Sequence, residues 1–431
     1  MYLTQGYSEV DGAVEEMTAS AGKASRTGKL QVVLLDDRSF WRMAAILLGI
    51  VSFCKGVRLP SRWAATQAMV SYDQGLLKRG FFGETFGHWL HLEHYIRFSV
   101  VSYVLIAVFV ALLALLVERS GALVRLGSGE PVALFFASFA VTYLAHLVGY
   151  LDIPLGILTL AVLLIKDVRV RFFVAAPFCL IALLIHESFF LIFLPVVLFS
   201  FVVDSTTLQN GRRRLEAWGM CGILLCGAAA TTAKLALLRP MTPQQVEALK
   251  REIARRADFP VRDDFFMVLQ VSTIENLKMM KQHFLHQMRW DIMFLVSLAI
   301  FLPTLLLLFV AIARTLRGVG CRGYRRLLGA AAIVAASSPV WMHLLGWDSA
   351  RWDALVCLET FLVLLILCRS LPGGTVLLPG EFRNATILVI ALSMATGETL
   401  MDGKEIHTFP FSGLTNLVHS VRQVGWTPPQ S

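Results

Sequence analysis

Long apolar runs recur along this chain between about residues 42 and 400, and they constrain its fold more than any other feature. Several of them exceed about 17 residues, the length that a helix needs to cross roughly 30 Å of hydrocarbon. The chain is 56% hydrophobic and only 16% charged, whereas about a quarter of the residues in a soluble domain are charged. The pattern predicts an all-α, polytopic integral membrane protein.

Eleven of the runs are predicted to be membrane spans, and two long loops separate some of them. We expect the loops over 59–97 and 238–290 to be extracytoplasmic and to carry helices that lie in the membrane interface. In the first loop, apolar residues at helical spacing predict helices around 63–77 and 86–95. The predicted spans are 42–57, 98–117, 131–149, 153–166, 171–185, 188–203, 217–237, 291–313, 327–345, 352–368 and 384–400.

Basic residues in three short loops predict the orientation of the chain. Cytoplasmic loops collect Lys and Arg, and the loops 166–171, 204–216 and 314–326 fall on one side if the eleven spans alternate. That side is predicted to be cytoplasmic, together with an N-terminal tail over 1–41. The C-terminal tail, 401–431, is then extracytoplasmic. The residues predicted at the outer face are Asp73, Asp152, His186, Glu187, Asp348 and Arg351.

The first long loop places charged residues next to glycines. Asp73 precedes Gly75, and Lys78 and Arg79 precede Gly80, and glycine permits the backbone to approach a ligand closely. One interpretation is a carboxylate base or metal ligand, Asp73, with a basic phosphate clamp beside it. The other interpretation is a solvated Asp–Arg pair on an interfacial helix.

His186 and Glu187 form an ionisable pair between two apolar runs. Because such residues are costly in a membrane, they are functional candidates by default. Glutamate can act as a general base, and histidine can orient it, share a proton or ligate a metal. The alternative is a helix-turn pair satisfied by neighbouring backbone. The flanking runs, 171–185 and 188–203, are each short for a crossing, which predicts a hairpin or two tilted half-spans that meet here.

Asp348 and Arg351 open the tenth predicted span. They are three residues apart, so they share a face of a helix. Arginine presents a planar fork that suits phosphate or carboxylate, so one interpretation is a phosphate-binding arginine oriented by an aspartate. The other interpretation is a helix N-cap, Asp348, beside an interface anchor.

The second long loop is strongly basic and includes Arg255 and Arg256. This charge predicts either an anionic ligand at the outer face or attraction to anionic lipid headgroups. Thr242 and Pro243 are typical of the start of a helix, which is predicted to run to Arg256. A further helix is predicted from about Ile274.

Part of this layout resembles that of known membrane enzymes. A first external loop with interfacial helices and an aspartate, here Asp73, resembles the GT-C class of glycosyltransferases. A basic outer loop between later spans is similar to that of bacterial O-antigen and exopolysaccharide polymerases. The paired acidic motif common in the GT-C first loop is missing, and Asp263-Asp264 lies in the other long loop. No P-loop, dinucleotide fingerprint, GxSxG or HExxH motif occurs.

The resemblance implies a bacterial inner-membrane enzyme that transfers or polymerises sugar units from a polyprenyl-(pyro)phosphate-linked donor at the outer face. The implied partners are membrane lipid, the lipid-linked donor, a glycan acceptor and other polysaccharide-assembly proteins, with no nucleic acid. No particular cofactor is implied, and a divalent metal on Asp73 and Asp152 stays open because oxygen ligands suit Mg²⁺ or Mn²⁺. The implied catalytic residues are Asp73, Glu187 and His186, the phosphate-binding residues are Lys78, Arg79, Arg255, Arg256 and Arg351, and the supporting residues are Asp152 and Asp348.

A second function stays open at this point. A proton-coupled secondary transporter, or a flippase for a lipid-linked glycan, would use His186, Glu187 and Glu359 as a proton path. A transporter places ionisable groups near the membrane midplane, whereas an enzyme for lipid-linked sugars needs them under one face. By position along the chain, most of these residues belong to one face, and Glu359 lies deeper.

Overall fold

The computed structural model describes residues 37–395 and 411–422, apart from 74, 76, 88, 127–128, 209, 287, 347, 372–375 and 377. Most of the two predicted tails, 1–41 and 401–431, lies outside this part of the chain. All regular elements within it are helical, which confirms the all-α class. The α-helices are α1 (Asp37–Gly56), α2 (Arg62–Ala68), α3 (Tyr95–Ser120), α4 (Ala122–Arg125), α5 (Glu130–Ala137), α6 (Phe139–His146), α7 (Asp152–Leu164), α8 (Val168–Ile185), α9 (Leu194–Thr207), α10 (Gly211–Ala236), α11 (Pro243–Arg256), α12 (Asp263–Gln270), α13 (Thr273–His286), α14 (Met288–Arg317), α15 (Arg322–Ser337), α16 (Ser349–Ser370), α17 (Gly380–Ala395) and α18 (Ser412–Arg422).

Seven helical segments in the described residues are long and apolar enough to cross a membrane, as expected of a helical membrane protein. α7 is also apolar but shorter. The predicted spans over 42–57 and 98–117 correspond to α1 and α3. The seven segments are Ser39–Gly56, Tyr95–Ser120, Val168–Ile185, Glu187–Thr207, Gly211–Ala236, Phe294–Arg317 and Arg322–Leu344.

α16 lies at the centre of the bundle. Its residues from Arg351 to Cys368 are all buried, as expected of a helix that is surrounded by other helices. α6, α9, α14 and α15 pack against it. At mid-length, the ring of Phe361 stacks on Phe135 of α5, with ring centroids 4.0 Å apart. Because α16 is buried all round, the polar residues in its first turn are held by protein rather than by lipid.

One predicted span is interrupted, and a second break in the helices lies between two predicted spans. The run over 131–149 forms the two short helices α5 and α6, because Ser138 between them is extended and its hydroxyl donates to the Phe135 carbonyl, an alternative to the helical pattern. The second break lies at His186, where the sequence predicts one. His186 has extended backbone (φ −159°, ψ 125°), and the 3₁₀ turn Glu187–Phe190 follows it before α9.

The first long loop contains less helix than the sequence predicts. α2 ends at Ala68, so the helix predicted over 63–77 is too long, and the predicted helix around 86–95 is replaced by a π-helical turn, Gly83–Gly87. The reason is a close backbone approach. A Cβ atom at Gly83 would lie 2.1 Å from the Val70 carbonyl oxygen. The two segments of the loop therefore pack with no side chain between them at this point.

The second long loop folds as predicted in two places. α11 starts with the side chain of Thr242 accepting from Gln245 N and that of Gln245 accepting from Thr242 N, a capping box. α13 begins at Thr273, one residue before the predicted start. α12 lies between them, and its Phe265 packs edge-on against Trp63 of α2 with centroids 5.4 Å apart. The two long loops are therefore joined by an aromatic contact.

Candidate functional site

Two charged clusters lie at opposite ends of the long helices. α16 carries Arg351 in its first turn and Arg369 in its last, and their separation of 18 positions corresponds to about 27 Å of helix. At one end, Arg351 lies close enough to His186 for their charges to interact. At the other end, Arg369 is similarly close to Arg171. We call these the Arg351 end and the Arg171 end. The separation is close to the hydrocarbon thickness of a bilayer.

Arg79 of the first loop reaches Glu187 at the Arg351 end. Its Nη2 donates to Glu187 Oε1 over 3.1 Å, and the Arg79 side chain is only 15% exposed. Arg79 has a left-handed backbone (φ 65°), which costs roughly 1–3 kcal/mol for a residue other than glycine. Its Nε is buried and has no hydrogen-bond partner among the described residues. A strained, ion-paired arginine thus keeps one N–H group available.

His186 is buried beside this pair. Its Nδ1 accepts a hydrogen bond from Ser188 N over 3.1 Å and lies 3.5 Å from Glu187 Oε2. This bond caps the 3₁₀ turn that follows His186, and it requires the proton of the neutral ring to be on Nε2. His186 therefore has a structural contact through one nitrogen, and only Nε2 is left for proton transfer.

Arg351 pairs with Asp152 rather than with Asp348. Its Nη2 lies 2.6 Å from Asp152 Oδ2, and both side chains are buried. The guanidinium lies over two aromatic rings, 4.6 Å from the centroid of Trp352 and 5.2 Å from that of Tyr150. Nε of Arg351 is buried without a hydrogen-bond partner in the part of the chain that the structure describes. Like Arg79, it is paired with one carboxylate, and its Nε–H group has no hydrogen-bond partner among the described residues.

Asp348 has the role of a helix cap. Its Oδ1 accepts from Arg351 N over 3.4 Å and from the hydroxyl of Tyr143 over 2.7 Å. The first bond satisfies an N–H group at the start of α16 that has no partner inside the helix. The second joins α16 to α6. Asp348 thus holds the backbone that carries Arg351, and it does so through the peptide rather than through the guanidinium.

A small apolar cleft of about 10 Å³, with room for about one water molecule, lies beside Tyr150. Its walls come from the first loop, from α3 and from the turn that leads into α7, and they include Phe82, Phe98, Leu105, Gly149 and Pro154. Tyr150 lines this cleft and at the same time lies under the Arg351 guanidinium. The cleft therefore adjoins the charged cluster without any intervening element.

Lys78 lies at the edge of the cluster, next to Arg79. Burial lowers the pKa of its ammonium group, the charge of Glu187 raises it, and the charge of Arg79 lowers it further. Its Nζ donates to Thr273 Oγ1 of the second loop over 3.1 Å. Lys78 thus links the two long loops and adds a third positive charge near Glu187.

Three of the predicted site residues make no described contact with the cluster. Asp73 is exposed and accepts a hydrogen bond from the Ser71 hydroxyl. Arg255 is exposed, and Arg256 pairs with Glu252 of the same helix over 3.5 Å. Within the described ranges, no ion pair connects these three to Glu187 or to Arg351. The structure brings together Lys78, Arg79, Asp152, His186, Glu187, Asp348 and Arg351.

Tyr143 and Tyr150 belong to the site but were not identified from the sequence. Each contacts a charged residue of the cluster through a ring or a hydroxyl. The available signal was their position, since Tyr150 stands two residues before Asp152 at the end of an apolar run. Tyrosine in that position is also typical of a membrane interface, so the pattern alone does not separate the two roles.

The residues of the cluster do not fit a divalent metal. Asp152 is engaged by Arg351, and no described contact joins it to the exposed Asp73. No group of three or more His, Cys, Asp or Glu side chains is arranged to hold a metal ion in the residues described. The fixed positive charges near Glu187 and Asp152 are those of arginines.

No family model matches the chain, and no curated protein or solved structure is significantly similar to it. Its chemistry is therefore inferred from its own side chains. Arg351 is buried and Arg79 is partly buried, and each has a buried Nε–H group without a partner among the described residues, which together provide a site for an oxyanion.

Proposed function

We propose that this chain transfers or polymerises sugar units from a polyprenyl-(pyro)phosphate-linked donor at the outer face of the bacterial inner membrane. The observation that carries the proposal is that Arg79 and Arg351 bring two buried Nε–H groups without partners among the described residues to one charged cluster, whereas Arg214 and Arg256 have one such group each outside it. A buried donor without a partner costs about 1–3 kcal/mol. A phosphate oxygen bound at each group would remove that cost.

The carboxylates of the cluster support this assignment. Glu187 and Asp152 each contact one terminal nitrogen of an arginine, so they orient the guanidinium planes. Arginine binds phosphate through planar, charge-assisted hydrogen bonds, and the remaining Nε edges provide them. In the proposal, Lys78 adds a further positive charge for the phosphate.

The membrane setting supports a lipid-linked donor. A polyprenyl chain is apolar along its whole length, so in the proposal it stays in the hydrocarbon beside the helices and only its phosphate enters the protein. The cleft next to Tyr150 has room for about one water molecule and does not hold the chain.

Sugar transfer needs a base for the acceptor and positive charge for the leaving group. The acceptor hydroxyl gives up its proton as its oxygen bonds to the sugar, and the lipid phosphate leaves with the electron pair of the broken bond. Arginines at that phosphate stabilise the developing charge. Glu187 is already paired with Arg79. Of the three predicted catalytic residues, Asp73 is therefore our candidate for the base, because its carboxylate is exposed.

The proposed topology places the Arg351 end outside and the N-terminus in the cytoplasm, with eleven spans. Two observations support it. The loops near the Arg171 end carry the basic residues expected of a cytoplasmic side, such as Lys166, Arg169 and Arg212. The two ends of α16 are about 27 Å apart, enough to lie near opposite faces of a bilayer.

The experiment incubates purified protein with a polyprenyl-linked oligosaccharide and reads product length on a gel. We expect Arg351→Ala and Asp73→Ala to abolish glycan transfer while both variants still insert into the membrane. Exposed Arg212→Ala at the Arg171 end is the matched control and is expected to transfer at the normal rate. Normal product lengths with Arg351→Ala would rule out the proposed site.

One observation favours the alternative, a proton-coupled transporter or a flippase for a lipid-linked glycan. Glu359 is fully buried in α16, and neither of its carboxylate oxygens has a hydrogen-bond partner among the residues described. It lies eight residues beyond Arg351, about 12 Å deeper along the helix. Loss of lipid-glycan transport in proteoliposomes with Glu359→Gln, without loss of glycan transfer, would favour this alternative over the enzyme.

A further inference from the structure

A second buried group of polar side chains lies where α14, α16 and the end of α15 meet. Asp353 of α16 accepts a hydrogen bond at Oδ2 from the Ser297 hydroxyl of α14, over 2.5 Å. Its Oδ1 lies 3.1 Å from Nε2 of His343, which belongs to the 3₁₀ segment Ser338–Leu344 after α15. The three residues expose between 2% and 7% of their surface, so the group joins these elements inside the protein.

This group is separate from the charged cluster around Arg351. Asp353 follows Arg351 by two positions, which is about 3 Å along the helix axis and about 200° around it. Arg351 pairs with Asp152 of α7, whereas Asp353 contacts α14 and the 3₁₀ segment. The two side chains therefore lie at a similar depth but on nearly opposite sides of α16.

The charge of Asp353 has one ionisable partner. Among the described residues, only His343 forms an ion pair with this carboxylate, since Ser297 donates a hydrogen bond but carries no charge. A carboxylate inside a membrane-spanning bundle is costly unless its charge is compensated. With a neutral imidazole the pair carries one negative charge, and with an imidazolium it carries none. The charge balance of the pair therefore depends on a proton at His343.

The second ring nitrogen of His343 is available for that proton. Because an ionised carboxylate only accepts hydrogen bonds, Nε2 of the neutral ring carries the proton and Nδ1 has the lone pair. Nδ1 is buried and makes no hydrogen bond in the described part of the chain. In His186, which is also buried, the same atom accepts from Ser188 N. His343 thus differs from His186 in presenting an unused acceptor.

The two long helices beside His343 add little charge around it in the residues described. On α14, the ring of Phe294 meets the imidazole edge to face, with centroids 5.0 Å apart. On α16, the charge of Asp353 acts on the Cys357 thiol. Glu359 lies six positions beyond Asp353, about 9 Å deeper along the helix.

The described side chains of α13 and α15 place no further charge beside His343. α13 reaches the end of the 3₁₀ segment through Asn276, which donates to the Leu345 carbonyl, and its described ionisable side chains are exposed: Glu275, Lys278 and Lys281. The arginines of α15 lie in its first five residues, at the end of the helix remote from His343. The protonation of the group therefore depends mainly on His343 and Asp353 themselves.

We infer that His343 and Asp353 form a proton-binding site, in which Nδ1 of His343 takes up the proton and Asp353 compensates the charge. The lone pair of Nδ1 forms the new N–H bond, the imidazole becomes an imidazolium, and no other covalent bond changes. Asp353 holds the ring in the tautomer that leaves Nδ1 open, as a carboxylate does for a catalytic histidine. The site gives the chain a proton acceptor at the depth of Arg351 and uses no residue of the proposed phosphate site.

The test reads the ring nitrogens of His343 by NMR in uniformly isotope-labelled, full-length protein in nanodiscs. The ring signals are assigned through the backbone of His343, so the measurement on the natural protein needs no variant. At alkaline pH we expect a neutral ring with its proton on Nε2. As the pH is lowered, we expect a second proton on Nδ1 while the protein stays folded.

Variants test the role of the carboxylate. Asp353→Asn removes the charge that stabilises the imidazolium, and we expect His343 to bind its proton about 10-fold less tightly or weaker still. Ser297→Ala keeps that charge, so His343 should still take up its proton. Glu93→Gln is the matched control, because Glu93 pairs with the exposed His91 over 3.0 Å. Solvent screens that pair, so proton binding at His91 should weaken about fivefold at most.

Three results would overturn the inference. A neutral ring that carries its proton on Nδ1 would mean that Asp353 donates to His343 and that no acceptor is left. A ring that stays neutral at every pH at which the protein is folded would reduce the pair to a structural hydrogen bond. Equally tight proton binding in Asp353→Asn would remove Asp353 from the site. The first two results come from the natural protein alone, so they decide the question even if Asp353→Asn does not fold.

Discussion

Arg171 and Arg351 are both buried arginines paired with an aspartate, and they differ in what their remaining N–H groups contact. Arg171 pairs with Asp204 over 2.7 Å, donates from Nε to the Ile165 carbonyl over 2.9 Å and from Nη2 to the Lys166 carbonyl over 3.1 Å. Arg351 pairs with Asp152 over 2.6 Å, but its Nε has no partner in the described part of the chain.

This difference separates a structural arginine from a candidate binding residue. The carbonyls that Arg171 contacts follow the end of α7, so the side chain joins α7, α8 and α9 and its donors are used within the protein. Arg369 similarly donates to the Leu163 carbonyl. At the Arg351 end, aromatic rings lie over the guanidinium, and no carbonyl in the described part of the chain accepts from its Nε. Burial and an ion pair with an aspartate are thus common to Arg171 and Arg351, and the unpaired Nε is what differs between these two residues.

Replacing each arginine by lysine should give the largest contrast between the two ends. Lysine keeps the charge but lacks the planar fork. We expect Arg351→Lys to lower the rate of glycan transfer about 100-fold, as when one donor to a developing anion is removed. Arg171→Lys should leave the rate per folded molecule unchanged and lower the free energy of unfolding by about 2–4 kcal/mol, because hydrogen bonds from a charged group are lost.

The two readouts are product length on a gel and thermal denaturation in detergent. The comparison between the two ends would be wrong if Arg171→Lys slowed transfer without loss of stability. It would also be wrong if Arg351→Lys transferred sugar normally.

Arg79→Gly extends the comparison of structural and binding arginines to the first loop. We expect it to slow glycan transfer less than Arg351→Lys does. Glycine adopts the left-handed conformation of this residue (φ 65°) without strain, which offsets part of the stability lost with the Glu187 ion pair. We expect the free energy of unfolding to change by less than about 1 kcal/mol, whereas transfer falls about 10-fold or more because a phosphate contact is lost. Arg79→Lys, which keeps charge and strain, is the control. Equal losses of stability and activity in Arg79→Gly would assign Arg79 a structural role like that of Arg171.

Lys78 provides the smallest expected effect, a change in pH dependence. Because burial lowers its pKa, Lys78 should lose its charge at a lower pH than an ordinary lysine, whose pKa is about 10.4. Transfer should therefore decline on the alkaline side, and Lys78→Arg should remove that decline. The unfolded chain holds this proton more tightly than the folded chain, so the contribution of Lys78 to the free energy of unfolding rises as pH increases through the same range. An alkaline profile that is identical in Lys78→Arg would exclude Lys78 from the phosphate site.

Local features of the fold were predictable because their causes are local. The apolar runs predicted the long helices, Thr242 and Pro243 predicted the start of α11, and the break at His186 lies where two apolar runs meet. The break at Ser138 was missed, because one serine inside an apolar run is compatible with a continuous helix. The helix predicted over 63–77 was too long, since the backbone contact between Gly83 and Val70 that replaces it joins separate segments of the loop.

The candidate site was predictable as a set of residues but not as a set of contacts. Glu187 and Arg79 are 108 positions apart in the chain, and Asp152 and Arg351 lie still further apart. Spacing suggested that Asp348 orients Arg351, whereas Asp348 caps the helix and Asp152 holds the guanidinium. Asp73 was grouped with Arg79 because the two are close in sequence, yet the described contacts of Asp73 are with Ser71.

The amino-acid sequence by itself determined that this chain is a helical membrane protein and that its ionisable residues stand at the ends of apolar helices, because hydrocarbon excludes charge and favours continuous helix. Only the tertiary structure decided which charges neutralise one another and which N–H groups remain. The pairing of these charged groups depends on helices and loops that meet from distant parts of the chain. A buried guanidinium contacts the carboxylate, carbonyl or ring that the packing places beside it.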